Sequence, residues 1–292
     1  MSQLSIKNKF ISTVRAYPLA SFFILAYLGS WIGWSPWWLS QTGVGLLPYE
    51  LPHSAVAGIN QLGLIAGPLV AVFVVTRIVS GRKGVKQLQK SFTQRQAHPL
   101  AYILALVAIP LAICAAYFLF GGVGISSDIS PAIIATLLVT FVVYIAGGPI
   151  QEEGGWRGFA LHRLQRRYHP LVAAVILGVV HCLWHVPLFF TSEWDTARSD
   201  VSQLWAYLVL VVSMSVVMSW LVNKARGSVF LAILAHNSVN WSLFVVATLS
   251  GVAVANNWPA ALGLTVLAIV AIVATRGRLA FEQSNKADTH SQ

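Results

Sequence analysis

Three clusters in the second half of the chain set ionisable side chains inside an otherwise apolar sequence. The first is Gln151-Glu152-Glu153-Gly154-Gly155-Trp156-Arg157-Gly158. Neighbouring residues on a helix point roughly 100° apart, so Glu152 and Glu153 meet different surroundings. Arg157 stands four residues after Glu153 and can pair with it. Glu152 is then the carboxylate left to act as a general base. The plainer alternative is a salt-bridged helix end at headgroup level.

The second cluster is His181-Cys182-Leu183-Trp184-His185-Val186-Pro187. Its histidines are four apart and share a helix face, the spacing of paired metal ligands. Cys182 stands where a zincin motif has its glutamate, so that motif is not met. Pro187 is expected to kink or end the helix just beyond His185. The third cluster, His236-Asn237-Ser238-Val239-Asn240, again puts two polar groups four apart, and His236 and Asn240 can both donate to a developing oxyanion. Each cluster alone could equally be a hydrogen-bonding contact between helices. Together they supply the parts of a site that activates water and stabilises a tetrahedral intermediate.

The elements that must position these groups are membrane helices. Of 292 residues, 57% are hydrophobic and 10% charged, too apolar a balance for a domain that covers its surface with polar groups. A helix crossing roughly 30 Å of hydrocarbon needs about 20 mostly apolar residues. Eight stretches qualify, at residues 18–39, 59–79, 100–120, 132–150, 171–190, 202–222, 229–249 and 259–275. The expected fold is an all-α polytopic bundle. It divides into an N-terminal tail (1–16), an intramembrane domain (17–276) and a C-terminal tail (277–292).

With these spans drawn, every Lys and Arg but Arg198 falls on one side. Positive residues are retained in the cytoplasm, which puts both termini there. Glu50, Asp128, Glu193, Asp195 and Asp200 fall in the opposite loops. The net charge of +10 therefore suits anionic headgroups, and no basic stripe with interleaved aromatics suggests nucleic acid. The first span is too long for a cleaved signal and lacks a small-residue cleavage pattern. Residues 83–99 have apolar positions at Val85, Leu88 and Phe92, the pattern of a short amphipathic helix on the cytoplasmic face. Trp31, Trp34, Trp37 and Trp38 are expected to form an interfacial belt. Cys114 and Cys182 sit within spans and suggest buried thiols, with no disulfide framework.

The ordered motifs resemble a known family. Glu152-Glu153-xxx-Arg157-Gly158, then Trp184-His185-Val186-Pro187, then His236-xxx-Asn240 are similar to the motifs of the CAAX prenyl endopeptidase and bacteriocin-processing (CPBP, or Abi) family of intramembrane proteases. The resemblance covers roughly residues 147–244. It implies an eight-span fold around a conical chamber open to cytosol and membrane. It also implies roles: Glu152 and His185 activating water, His236 and Asn240 forming the oxyanion site, and Glu153 and Arg157 structural. The family pattern has an apolar or aromatic residue four before His185, where this chain has His181, so both histidines are carried forward with His185 favoured.

The expectation is an intramembrane endopeptidase acting near the C-terminus of a membrane-anchored, lipidated substrate, the CAAX peptide being typical of the family. No cofactor is expected, with zinc the alternative. Membrane lipid and the lipidated peptide are the expected partners, and a bacterial plasma membrane the expected location. A non-catalytic immunity or scaffold protein of the same fold is the rival reading. A transporter is disfavoured because no internal repeat is found.

Overall fold

The computed structural model describes residues 3–126, 129–194 and 200–282. Asp128, Asp195 and Arg198, used above to assign loops, and residues 283–292 of the expected C-terminal tail lie outside the described residues, as does the side chain of Glu193. Most of the described residues are helical, and none of them forms a strand.

The N-terminal segment expected as a tail is itself a helix, α1 (Gln3–Ala16). Pro18 then starts α2 (Pro18–Gly33), turned by 115° from α1. Proline fits there because its missing N–H falls among donors that have no intrahelical partner anyway. A single turn, Ser35–Trp38, closes the first expected span.

The second span is longer than hydropathy alone indicates, running as α3 from His53 to Ser91. Two local chemistries interrupt it. Pro68 removes a backbone donor, and the helix loosens to π geometry over Ile65–Leu69. Gly81, with φ of 63°, then turns the chain, and the helix resumes to Ser91. This last piece matches the amphipathic segment expected from the sequence: Leu88 is buried, while Lys83, Lys86 and Lys90 are exposed.

The remaining helices are α4 (Pro99–Phe120), α5 (Pro131–Gln165), α6 (Pro170–Trp184), α7 (Ser202–Lys224), α8 (Val229–Ser250) and α9 (Trp258–Thr275). Among the described residues, six helices are long and apolar enough to cross a membrane, and the bent pair of α1 and α2, counted as one span, makes a seventh. The 15-residue α6 is the shorter apolar helix that completes the eight expected. The molecule is an integral, multi-pass membrane protein.

The core lies around α7, which packs against α6, α8 and α9. Close approach is secured by small residues: a Cβ on Gly178 of α6 would sit 2.7 Å from Cα of Val212 on α7. In contrast, Pro131–Ile145, the first half of α5, buries no residue. Leu138, Val139, Val142 and Val143 there are all exposed, as suits a face turned to lipid.

Candidate active site

The site is built where α5 is broken. The helix runs to Ile145 and restarts at Pro149, with Gly148 between them at φ of 153°. That backbone is open to glycine, and a Cβ at Gly148 would also lie 2.9 Å from Oε1 of Glu152. The span expected to end near residue 150 therefore carries its first motif on a second, inward-turned helical piece. Gln151, Glu152, Glu153, Gly154, Gly155, Trp156 and Arg157 are all buried there. The glycines of the motif are filled from outside: a Cβ on Gly155 would meet Phe22 of α2 at 2.6 Å, and one on Gly154 would meet Phe92 at 2.4 Å.

The two adjacent carboxylates do part company, as helical geometry requires. Glu153 turns to Arg157, whose Nη1 donates to Oε1 at 2.8 Å and to Oε2 at 3.1 Å, both residues being fully buried. His236 of α8 brings Nδ1 to the same Oε1 at 2.7 Å. This carboxylate thus ties α5 to α8. The extra hydrogen bond from His236 helps to satisfy the buried carboxylate, whereas Nε and Nη2 of Arg157 are buried without a hydrogen-bond partner among the described residues.

Glu152 faces the other way but is not unpartnered. Its Oε2 lies 2.8 Å from Nε2 of His181 on α6, and both are nearly inaccessible. With the carboxylate ionised, the proton of this contact sits on Nε2 of His181. His185 does not bond Glu152. Its Nδ1 lies 3.1 Å from the carbonyl oxygen of His181. Nδ1–H must be the donor to a carbonyl, so Nε2 of His185 keeps its lone pair.

Pro187 acts as expected. The α-helix stops at Trp184, His185 is its C-cap, and Val186–Phe190 form a 3₁₀ turn. His185 thereby sits at a helix end beside the cavity.

These groups line a cavity of about 450 Å³, bordered by Glu152, His181, His185, His236 and Asn240. All four expected catalytic residues therefore border one space, together with His181. Glu153 and Arg157 stand behind His236 instead. Among the described residues, no hydrogen bond engages the Asn240 amide, which leaves it available to the cavity.

Several aromatic residues stand around the histidines in places the sequence did not indicate. Trp34, assigned to an interfacial belt, is fully buried and stacks at 6.4 Å over the His185 ring. Tyr207 of α7 and Trp194 approach the same ring at 5.5 and 5.4 Å. Trp156 lies 5.0 Å from His181. Their sequence signal was weak, since aromatic residues in spans are ordinary; only the crowding of tryptophans near residue 34 stood out. Asn60 and Asn257 also border the cavity.

The donors of Glu152, His181 and His185 lie within 4.8 Å of one another. One carboxylate and two imidazoles, with His185 held by a backbone carbonyl through its other nitrogen, fit a zinc-class ion.

Residues 133–242 match the model of the type II CAAX prenyl endopeptidase Rce1-like family, a stretch that contains every residue named in the three motifs. The chain is also 28% identical over 209 residues to CAAX prenyl protease 2 of Methanococcus maripaludis, covering 64% of this chain and 73% of that protein. Motifs, geometry and both similarities point the same way: over residues 133–242 the chain resembles the type II CAAX prenyl endopeptidases of the Rce1-like family.

Proposed function

We propose that the protein hydrolyses a peptide bond near the C-terminus of a membrane-anchored, prenylated substrate, using water activated by Glu152. The observation that carries this reading is a buried carboxylate, 3% exposed and backed by His181, opening on a cavity that also holds His185, His236 and Asn240.

In this mechanism Glu152 accepts a proton as the water oxygen attacks the scissile carbonyl carbon. The bare Nε2 of His185 is the second acceptor that orients the water. Asn240 donates to the developing oxyanion. His236 joins it through Nε2 only when the ring carries both protons, since Nδ1 is engaged by Glu153. The C–N bond then breaks, and Glu152 returns its proton to the leaving amine. Arg157 and Glu153 hold His236 in place. If a divalent ion is bound, Glu152, His181 and His185 are the residues that would hold it, and it would supply Lewis acidity toward a carbonyl or water.

The substrate reaches the cavity from the bilayer. The charge asymmetry supports a reading with both termini in the cytoplasm, and the proposed location is a bacterial plasma membrane. The direct test is cleavage of a farnesylated CAAX peptide by detergent-purified protein, with Glu152→Gln beside the wild type. Loss of cleavage in a folded variant supports the glutamate mechanism. Equal cleavage by both proteins overturns it. A folded wild type that cleaves nothing points to a different peptide substrate or returns the non-catalytic reading.

A further inference from the structure

A second cavity, of about 660 Å³, lies away from the catalytic chamber at the junction of α5 and α6. Its wall includes Gln165, Arg166, Arg167, His169, Arg278 and Phe281. Three features of this wall point to the same ligand chemistry.

The first is charge. Arg166, Arg167 and Arg278 are exposed and make no ion pair among the described residues. The acidic lining residue is Glu282, exposed beside Phe281, so positive charge prevails. Guanidinium groups are the side chains best matched to phosphate oxygens.

The second is the start of α6. His169 is its N-cap and makes no capping hydrogen bond with its side chain, and Pro170 is its first residue. The N–H groups of the first turn have no partner inside the helix, and the dipole adds partial positive charge, so this end favours an anion.

The third is Gln165. It is 2% exposed, and neither its amide oxygen nor its amide nitrogen has a hydrogen-bond partner. A buried amide left unpaired is costly, and a ligand oxygen at this wall would accept from Nε2 of Gln165 and relieve the donor's part of that cost.

The opposite wall is held in an unusual backbone. After α9 the chain passes through Arg276, Leu279 and Ala280, all non-glycine residues at positive φ of 50°, 47° and 55°. Such conformations persist where the surroundings enforce them. Here Leu279 is fully buried, its carbonyl accepts from Nδ2 of Asn223 at 2.9 Å, and its N–H donates to Oγ1 of Thr275 at 3.0 Å. This strap carries Arg278 to the cavity edge.

We infer that the cavity between Gln165, Arg166, Arg167 and Arg278 binds the phosphate of an anionic phospholipid headgroup. It sits at helix ends, on the basic side of the bundle, where an anionic leaflet meets the protein. Such a lipid bridges the α5–α6 junction to the C-terminal strap.

The test uses the purified full-length chain in neutral detergent, following thermal unfolding as phosphatidylglycerol, phosphatidylcholine or inorganic phosphate is added. The wild type is expected to respond to phosphatidylglycerol at a concentration at least about tenfold below that for phosphatidylcholine. The variant R166Q/R167Q/R278Q alters exposed side chains only and is expected to lose this preference. The control K7Q/K9Q, on exposed lysines of α1, is expected to keep it. Native mass spectrometry counting bound phosphatidylglycerol gives an independent readout. Equal preference in the triple variant and the wild type overturns the site. Stabilisation by inorganic phosphate with none by phosphatidylglycerol overturns the lipid assignment.

Discussion

Glu152 and His181 meet at 2.8 Å, a carboxylate oxygen from the broken α5 against an imidazole nitrogen from α6, both sealed from solvent. The contact binds the candidate base to a residue 29 positions later. It also means that the carboxylate is oriented before any substrate arrives, which is how a general base avoids paying for reorganisation during reaction.

Replacing Glu152 by Gln keeps the shape and removes the proton acceptor. A loss of about 10²- to 10⁴-fold in kcat is expected, with thermal unfolding little changed. The measurement is peptide cleavage and unfolding on the same preparation.

The two histidines of α6 separate by their contacts. His185→Gln removes the ring whose free nitrogen borders the cavity and is expected to cost kcat at least about a hundredfold. His181→Phe removes only the support of Glu152, and a loss of about 10- to 100-fold is expected. Steady-state kinetics on both variants check the order. A larger loss at His181 would reverse the assignment of roles.

Glu153→Gln leaves Arg157 buried without a countercharge. Breaking such a pair costs about 3–5 kcal/mol, so a marked fall in unfolding temperature or in the yield of monodisperse protein is expected. The double variant Glu153→Gln with Arg157→Met removes the stranded charge and is expected to recover part of that stability.

Gly148→Ala is expected to impair catalysis by two routes. It strains a backbone at φ of 153° and pushes a methyl group toward Oε1 of Glu152, 2.9 Å away. Destabilisation of about 1–3 kcal/mol together with a lower kcat is the expected result, read from unfolding and cleavage in parallel.

Cleavage is expected to survive exhaustive chelation, because Glu152 already has its partner in His181. Metal analysis before and after treatment gives the check. Activity that falls with the metal content and returns with zinc would make Glu152, His181 and His185 ligands instead.

Much of the fold was legible in composition and hydropathy, because lipid requires each span to satisfy its own backbone and so leaves a long apolar signature. The spans were located in order, and the pairing of Glu153 with Arg157 followed from helical spacing. The breaks were harder. Gly148 and Pro149 interrupt α5 inside a stretch that hydropathy reads as continuous. Trp34 looked like an interfacial anchor because the sequence cannot tell which side of α2 faces α6.

What the sequence by itself determined is local and chemical. It identified the apolar spans, the asymmetry of positive charge, the helix stop at Pro187 and the residues able to take or give a proton. Each follows from near-neighbour rules: backbone geometry, helical spacing and the cost of charge in lipid. What only the tertiary structure decided is which of these groups meet. Glu152 finds His181, His236 finds Glu153, and Tyr207 and Trp34 close around His185, because α2, α5, α6, α7 and α8 converge there. Contacts between helices depend on rotation about each axis and on depth in the bundle. Those are set jointly by small-residue contacts such as Gly155 with Phe22 and Gly178 with Val212, which no single segment encodes.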